Sequence, residues 1–118
     1  MLPRMQCDIV QTSGQNLRAL LAELQDENEL FASAATLHSV ETELLVIAQT
    51  LAHLSPLLQQ RLAQLDWHGW DRLHRLLTLD QQPRREEVWY GLRALVPATL
   101  ELLAQLRRQE PTWFELGY

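Results

Sequence analysis

The sequence predicts an all-α protein, an up-and-down bundle of four to five helices in a single domain, and three observations carry that prediction. Apolar residues recur at spacings of three and four along most of the chain. No segment alternates apolar and polar residues in the way a half-buried strand does, and no internal repeat or low-complexity region is present. The 118 residues are enough to bury one core without disulfides or metal as staples.

Each element has its own signal. Met1 to Asp8, with Pro3 near the terminus, reads as a short, loosely ordered lead. Ile9, Val10, Leu17, Leu20, Leu21 and Leu24 outline a first amphipathic helix, and Gly14 weakens its beginning, so it is expected to start near Ser13. Gln25 to Glu29 reads as a break, followed by an apolar anchor at Leu30 and Phe31 and a small-residue run from Ala32 to Ala35. Leu37, Val40, Leu44, Ile47, Leu51 and Leu54 give the clearest stripe of the chain, the expected central core face. Glu41 and Glu43 near its start suit the positive end of the helix dipole, and they lie on different faces, so they are no catalytic dyad.

Ser55-Pro56 closes that helix and opens the next, because serine is a favoured N-cap and proline is tolerated in a first turn. Leu57, Leu58, Leu62 and Leu65 line a short helix. Asp66 can cap another that carries Trp70, Leu73, Leu76 and Leu77 on one side. Asp80 to Pro83 is the strongest loop signal of the second half. A last helix is expected from about Arg84 to Arg108, kinked at Pro97, with Glu86 and Glu87 in its first turns and Arg107 and Arg108 in its last. The tail from 109 to 118 holds Trp113 and Phe114, and aromatics there are expected to dock on the domain or on a partner.

Composition removes several function classes. All ten basic residues are arginine, so Schiff-base chemistry, a P-loop lysine and a lysine general base are excluded. A net charge of −5 argues against a dedicated nucleic-acid wrapper but leaves room for a local basic patch. There is no apolar run of membrane-spanning length and no secretory signal pattern, which points to a cytoplasmic protein with no membrane partner. Cys7 cannot form an internal disulfide and reads as incidental. His38, His53 and His68 share no ligand spacing, and no metal or cofactor is expected.

Candidate function concentrates in LDWHGWDRLHRLLTLDQQPRREEVW, Leu65 to Trp89, which holds three of the four tryptophans and two of the four histidines. Arg72, His74, Arg75, Arg84 and Arg85 form the only basic concentration. They could contact a partner or RNA phosphates, or be a solvated face paired with Asp71, Asp80, Glu86 and Glu87. Trp67, Trp70 and Trp89 could stack bases but have the spacing of core or interface anchors.

The ordered set of features resembles a known family. Leu30-Phe31, then VETELLVIAQTLAHLS from Val40 to Ser55, a short leucine helix, LDWHGW, and EEVWYGLRALVP from Glu86 to Pro97 are similar to the HepT-like branch of the HEPN family, small bundles forming the toxin half of nucleotidyltransferase toxin–antitoxin pairs. The resemblance runs from about Leu30 to Leu106. It implies a HEPN-like fold, a homodimer with a groove between subunits, a nucleotidyltransferase partner, and a metal-independent endoribonuclease site built from an Arg-x4-6-His motif. In this branch the motif reads Arg-Asn-x-x-x-His-x-Tyr between the two tryptophans, its tyrosine being the residue the partner modifies. RNA cleavage through the 2′-hydroxyl needs a histidine as acid and base and an arginine to hold phosphate.

The chain departs from the pattern at that place. Counted from Trp67, the motif positions fall on His74, Arg75, Leu79 and Gln81. Counted back from Trp89, they fall on Leu73, His74, Thr78 and Asp80. A literal Arg-x6-His occurs earlier, at Arg61 and His68. Two function classes follow: a non-catalytic, dimeric binding partner of a nucleotidyltransferase with a degenerate motif, or an RNase toxin using His74 or His68 as acid and base and Arg72, Arg75 or Arg61 for phosphate. A helical adaptor unrelated to such systems is the third.

Overall fold

The computed structural model describes residues 3–114, and among them every regular element is helical. In chain order these are α1 (Pro3–Ala22), α2 (Glu27–Ala32), α3 (Ala34–Ala52), α4 (Pro56–Arg61), α5 (Trp67–Thr78), α6 (Arg85–Tyr90), a π-helical segment (Gly91–Leu95), α7 (Val96–Gln109) and a 3-10 turn (Pro111–Phe114). The α6, π and α7 segments follow one another without a break and act as one rod. α1 packs on α3, α3 on α5, α5 on α6 and the π segment, and α7 returns to α1. Four rods thus close around one core, with α2 and α4 as short bridges. Sequence neighbours are spatial neighbours, which is the bundle connectivity.

The core is built from the expected stripes. Leu30, Val40, Leu44, Ile47, Leu51, Leu62, Leu73 and Val88 are fully or almost fully buried, and Leu92, Leu95, Val96 and Leu103 complete it from the last rod. Removing such side chains from water supplies most of the drive to fold, at about 25 cal/mol per Å² of apolar surface. Short polar caps then set where each helix begins. Ser55 Oγ accepts from the Leu58 N–H at 3.2 Å and Asp66 Oδ1 from the Gly69 N–H at 2.8 Å, both at the starts the sequence marks.

Three boundaries differ from the sequence reading. The lead expected over residues 1–8 is helical from Pro3 onward, since α1 begins there and not near Ser13. Proline is tolerated in a first turn, and Gln6, Cys7 and Val10 gain burial by continuing the helix. Gly14 does not end it, because a Cβ at that position would lie 2.6 Å from both methyl groups of Leu100, so the missing side chain lets α1 approach α7 closely. That packing outweighs the roughly 1 kcal/mol helix penalty of glycine.

The acidic break is shorter than expected, because Glu27 already belongs to α2. Asp26 Oδ1 accepts from the Glu29 N–H at 2.9 Å, while the Glu29 carboxylate accepts from the Gln25 N–H at 2.9 Å, a reciprocal cap that holds a six-residue helix. Ser33, extended and capping α3 through the Thr36 N–H, divides the small-residue run.

The last helix is not a single α-helix kinked at Pro97. The Val96 N–H reaches back five residues to the Gly91 carbonyl, and the widened turn delivers Pro97 into the first turn of α7, where its missing N–H is not needed. In the described part of the tail Phe114 is buried and Trp113 lies under the Arg61 guanidinium, 4.8 Å from its ring centre. Residues 115–118 of the tail, and Met1 and Leu2 of the lead, lie outside the described residues.

Candidate functional site

α5 presents the stretch singled out by the sequence on three of its sides. Trp70 and Leu73 point into the core. Trp67 and His74, half-buried, face the groove toward α3, and His68, Arg72 and Arg75 are exposed. A strongly amphipathic repeat produces this split, with aromatic and leucine residues inward and arginines outward.

Each arginine of the basic concentration meets a carboxylate of its own chain. Arg72 pairs with Glu87 at 3.1 Å, Arg75 with Asp71 one turn earlier at 3.0 Å, and Arg85 with Glu27 at 3.2 Å, with Asn28 Oδ1 at 2.8 Å and the Phe31 ring beneath it. These are solvated pairs, worth little individually. Arg84 is different. Its guanidinium donates to both oxygens of Glu41, Nε at 2.8 Å and Nη2 at 3.0 Å, and through Nη1 to Asp80 at 2.7 Å and the Gln81 carbonyl at 3.2 Å. Only 12% of its side chain is exposed, and the hydrogen bonds to Glu41 hold its pKa above the usual arginine value. It fastens the loop before α6 to the middle of α3.

Two of the three tryptophans also have occupied polar ends. Trp70, 2% exposed, donates its indole N–H to Thr99 Oγ1 at 3.0 Å in the core. Trp67 donates to the Leu62 carbonyl at 3.0 Å, and Trp89 lies half-buried with Arg93 over its ring at 5.6 Å. Of the literal Arg-x6-His pair, Arg61 lies over the Trp113 ring and His68 is exposed in the first turn of α5. In the other registers Leu79 is exposed and Asp80 turns the chain with φ of 50°.

A second exposed pair joins α5 to α6. The Tyr90 hydroxyl donates to Asp66 Oδ2 at 2.7 Å. That bond and the Gly69 N–H hold the Asp66 carboxyl below its ordinary value of 3.8, and the same bond raises the Tyr90 phenol above its own. The arrangement keeps the phenol protonated, the opposite of what an activated nucleophile needs.

The groove between α3, α4 and α5 is the most site-like feature here. Ala48, Leu51 and Ala52 of α3, Gln59 of α4 and Trp67, Trp70, Asp71 and His74 of α5 line it, around a space of about 320 Å³. Sequence reasoning found Trp67, Trp70 and His74 but missed Ala48, Ala52, Gln59 and Asp71. The signal was present: two alanines one turn apart interrupt a leucine stripe, which leaves space beside whatever packs there. Among the described residues no group of three or more His, Cys, Asp or Glu could hold a metal ion, and no helix is long and apolar enough to cross a membrane. Comparison with protein-family models, with curated proteins and with solved structures finds no match.

Proposed function

We propose that the chain is a HepT-like HEPN bundle whose ribonuclease motif has been lost and which works as a dimeric binding partner of a nucleotidyltransferase-type protein. The observation that carries the non-catalytic half of this reading is the two-pronged hold of Glu41 on Arg84, the one arginine of the basic run that is mostly buried. A phosphate entering this face competes with carboxylates already in place, and a ribonuclease needs cations that are free to meet the phosphate. The partner class rests on the ordered resemblance of Leu30 to Leu106, and the helical bundle is consistent with it.

The test has two parts. Overexpression leaves growth and cellular RNA intact, and alanine at His74 and His68 changes neither. The tagged chain, captured from its native cell, carries a nucleotidyltransferase in stoichiometric amount. Toxicity that His74→Ala or His68→Ala relieves would establish the ribonuclease instead, and an eluate holding only the chain itself would replace the paired system by a helical adaptor.

A further inference from the structure

The outward side of α3 is bare of charge, unlike that of the other rods, which expose Asp8 and Arg18 on α1, Asp71 and Arg75 on α5, and Glu101 and Arg108 on α7. The only charged residues of α3, Glu41 and Glu43, turn sideways, Glu41 to the Arg84 guanidinium and Glu43 to the Asn16 amide of α1. Opposite the core-facing Leu44, Ile47 and Leu51 runs a single stripe, Ala35, Ser39, Thr42, Val46, Gln49 and His53, all exposed except the half-buried Val46. Steps of four and three alternate along it, the repeat with which one helix meets another lying alongside.

The order of sizes along the stripe selects what fits it. Small side chains stand in its first half and larger ones in its second. A second copy of α3 laid antiparallel therefore sets Ala35 opposite His53 and Ser39 opposite Gln49, small against large, and at the centre Thr42 opposite Val46, two β-branched side chains of similar size. A parallel copy would crowd His53 against His53 and leave a gap between the two Ala35 methyls. The antiparallel order also brings the positive end of one helix to the negative end of the other. Covering the stripe strands few polar groups, since the Thr42 hydroxyl donates to the His38 carbonyl at 2.8 Å and His53 Nδ1 lies 2.7 Å from the Gln49 carbonyl. Charge favours the same occupant. Each copy carries a net charge of −5, and two such copies repel least where both are free of acid, as the centres of interfaces are.

We propose that this stripe is the seam of a two-fold dimer, with α3 of one copy lying antiparallel on α3 of a second. The seam rests on the dimeric half of the proposed function and gives that dimer its place and register. The stripe is about 27 Å long at the helical rise and, with a width of about 20 Å, covers roughly 500 Å² per copy, the size of a reversible association.

Sedimentation equilibrium on the full chain tests it. The wild type dimerises with a Kd on the order of 10 µM. Ser39→Glu and Gln49→Arg, each at an exposed position and each leaving the circular dichroism of the chain unchanged, weaken the dimer at least about tenfold, because either one buries a lone charge in the seam. The double variant recovers to within about threefold of wild type, as the new carboxylate of each copy meets the new guanidinium of the other. The two positions stand about 15 Å apart on one helix, so no contact within a chain produces that recovery. A wild type still monomeric at about 300 µM overturns the seam and the dimeric reading together. A dimer that the single variants leave intact overturns the seam alone, and so does a double variant no tighter than the singles.

Discussion

At the scale of single residues, most polar side chains along α5 and α6 have a partner within the chain, and this decides their chemistry. Asp66 shows it best. Its carboxylate caps α5 through the Gly69 N–H and accepts from Tyr90, so its folded pKa lies below the unfolded value of 3.8. A depressed pKa means that the stabilisation is fully present above about pH 4 and is lost as pH falls through the folded value. Wild type and Asp66→Asn, followed by urea unfolding from pH 7 to pH 2, should therefore differ most at neutral pH and converge in acid. The difference should not exceed about 1 kcal/mol, because the group is exposed and asparagine also caps. A constant difference across that range would remove the assigned role of the carboxylate. Sequence reading found this cap from Asp66 standing before Trp67, but Tyr90 lies 24 positions away and nothing local announces it.

At the scale of elements, the connections do as much as the stripes. The loop that joins α5 to α6 has an unfavourable backbone at Asp80, with φ of 50°, and it is held by Arg84 reaching Glu41 on α3. Both side chains of that pair are mostly buried, 12% and 16% exposed, so removing one strands the other. Arg84→Ala should cost about 3 kcal/mol in chemical denaturation, and Arg84→Lys should recover only part of it, because an ammonium cannot make the two-pronged contact. A loss below about 0.5 kcal/mol would mean that the pair behaves like the solvated ones beside it. The sequence placed Arg84 in a basic run and Glu41 in a helix start, each correct locally. Their pairing across 43 positions is a property of the tertiary fold, which brings the loop before α6 onto α3.

At the scale of the whole molecule, one core unites all four rods, and Cys7 reports on it. The thiol is 3% exposed beneath α4, α7 and Phe114, and burial pushes its pKa up to about 11 against the opposing influence of Arg107. Buried and with its pKa raised, the thiol stays protonated and shielded at neutral pH in the folded chain. Alkylation of Cys7 should thus follow the urea unfolding curve measured by circular dichroism, and rapid labelling of the native protein would show that α1 opens separately from the rest. The sequence by itself determined the helical class, the stripes that form the core and the starts at Ser55 and Asp66, because helix periodicity and capping are local properties written in residues three or four apart. Only the tertiary structure decided that α1 runs through Gly14, that Pro97 is met by a π turn, that Arg72, Arg75, Arg84 and Arg85 meet carboxylates of their own chain, and that two alanines line a groove beside Trp67. Each of these depends on side chains brought together from distant positions, where packing overrides local propensity.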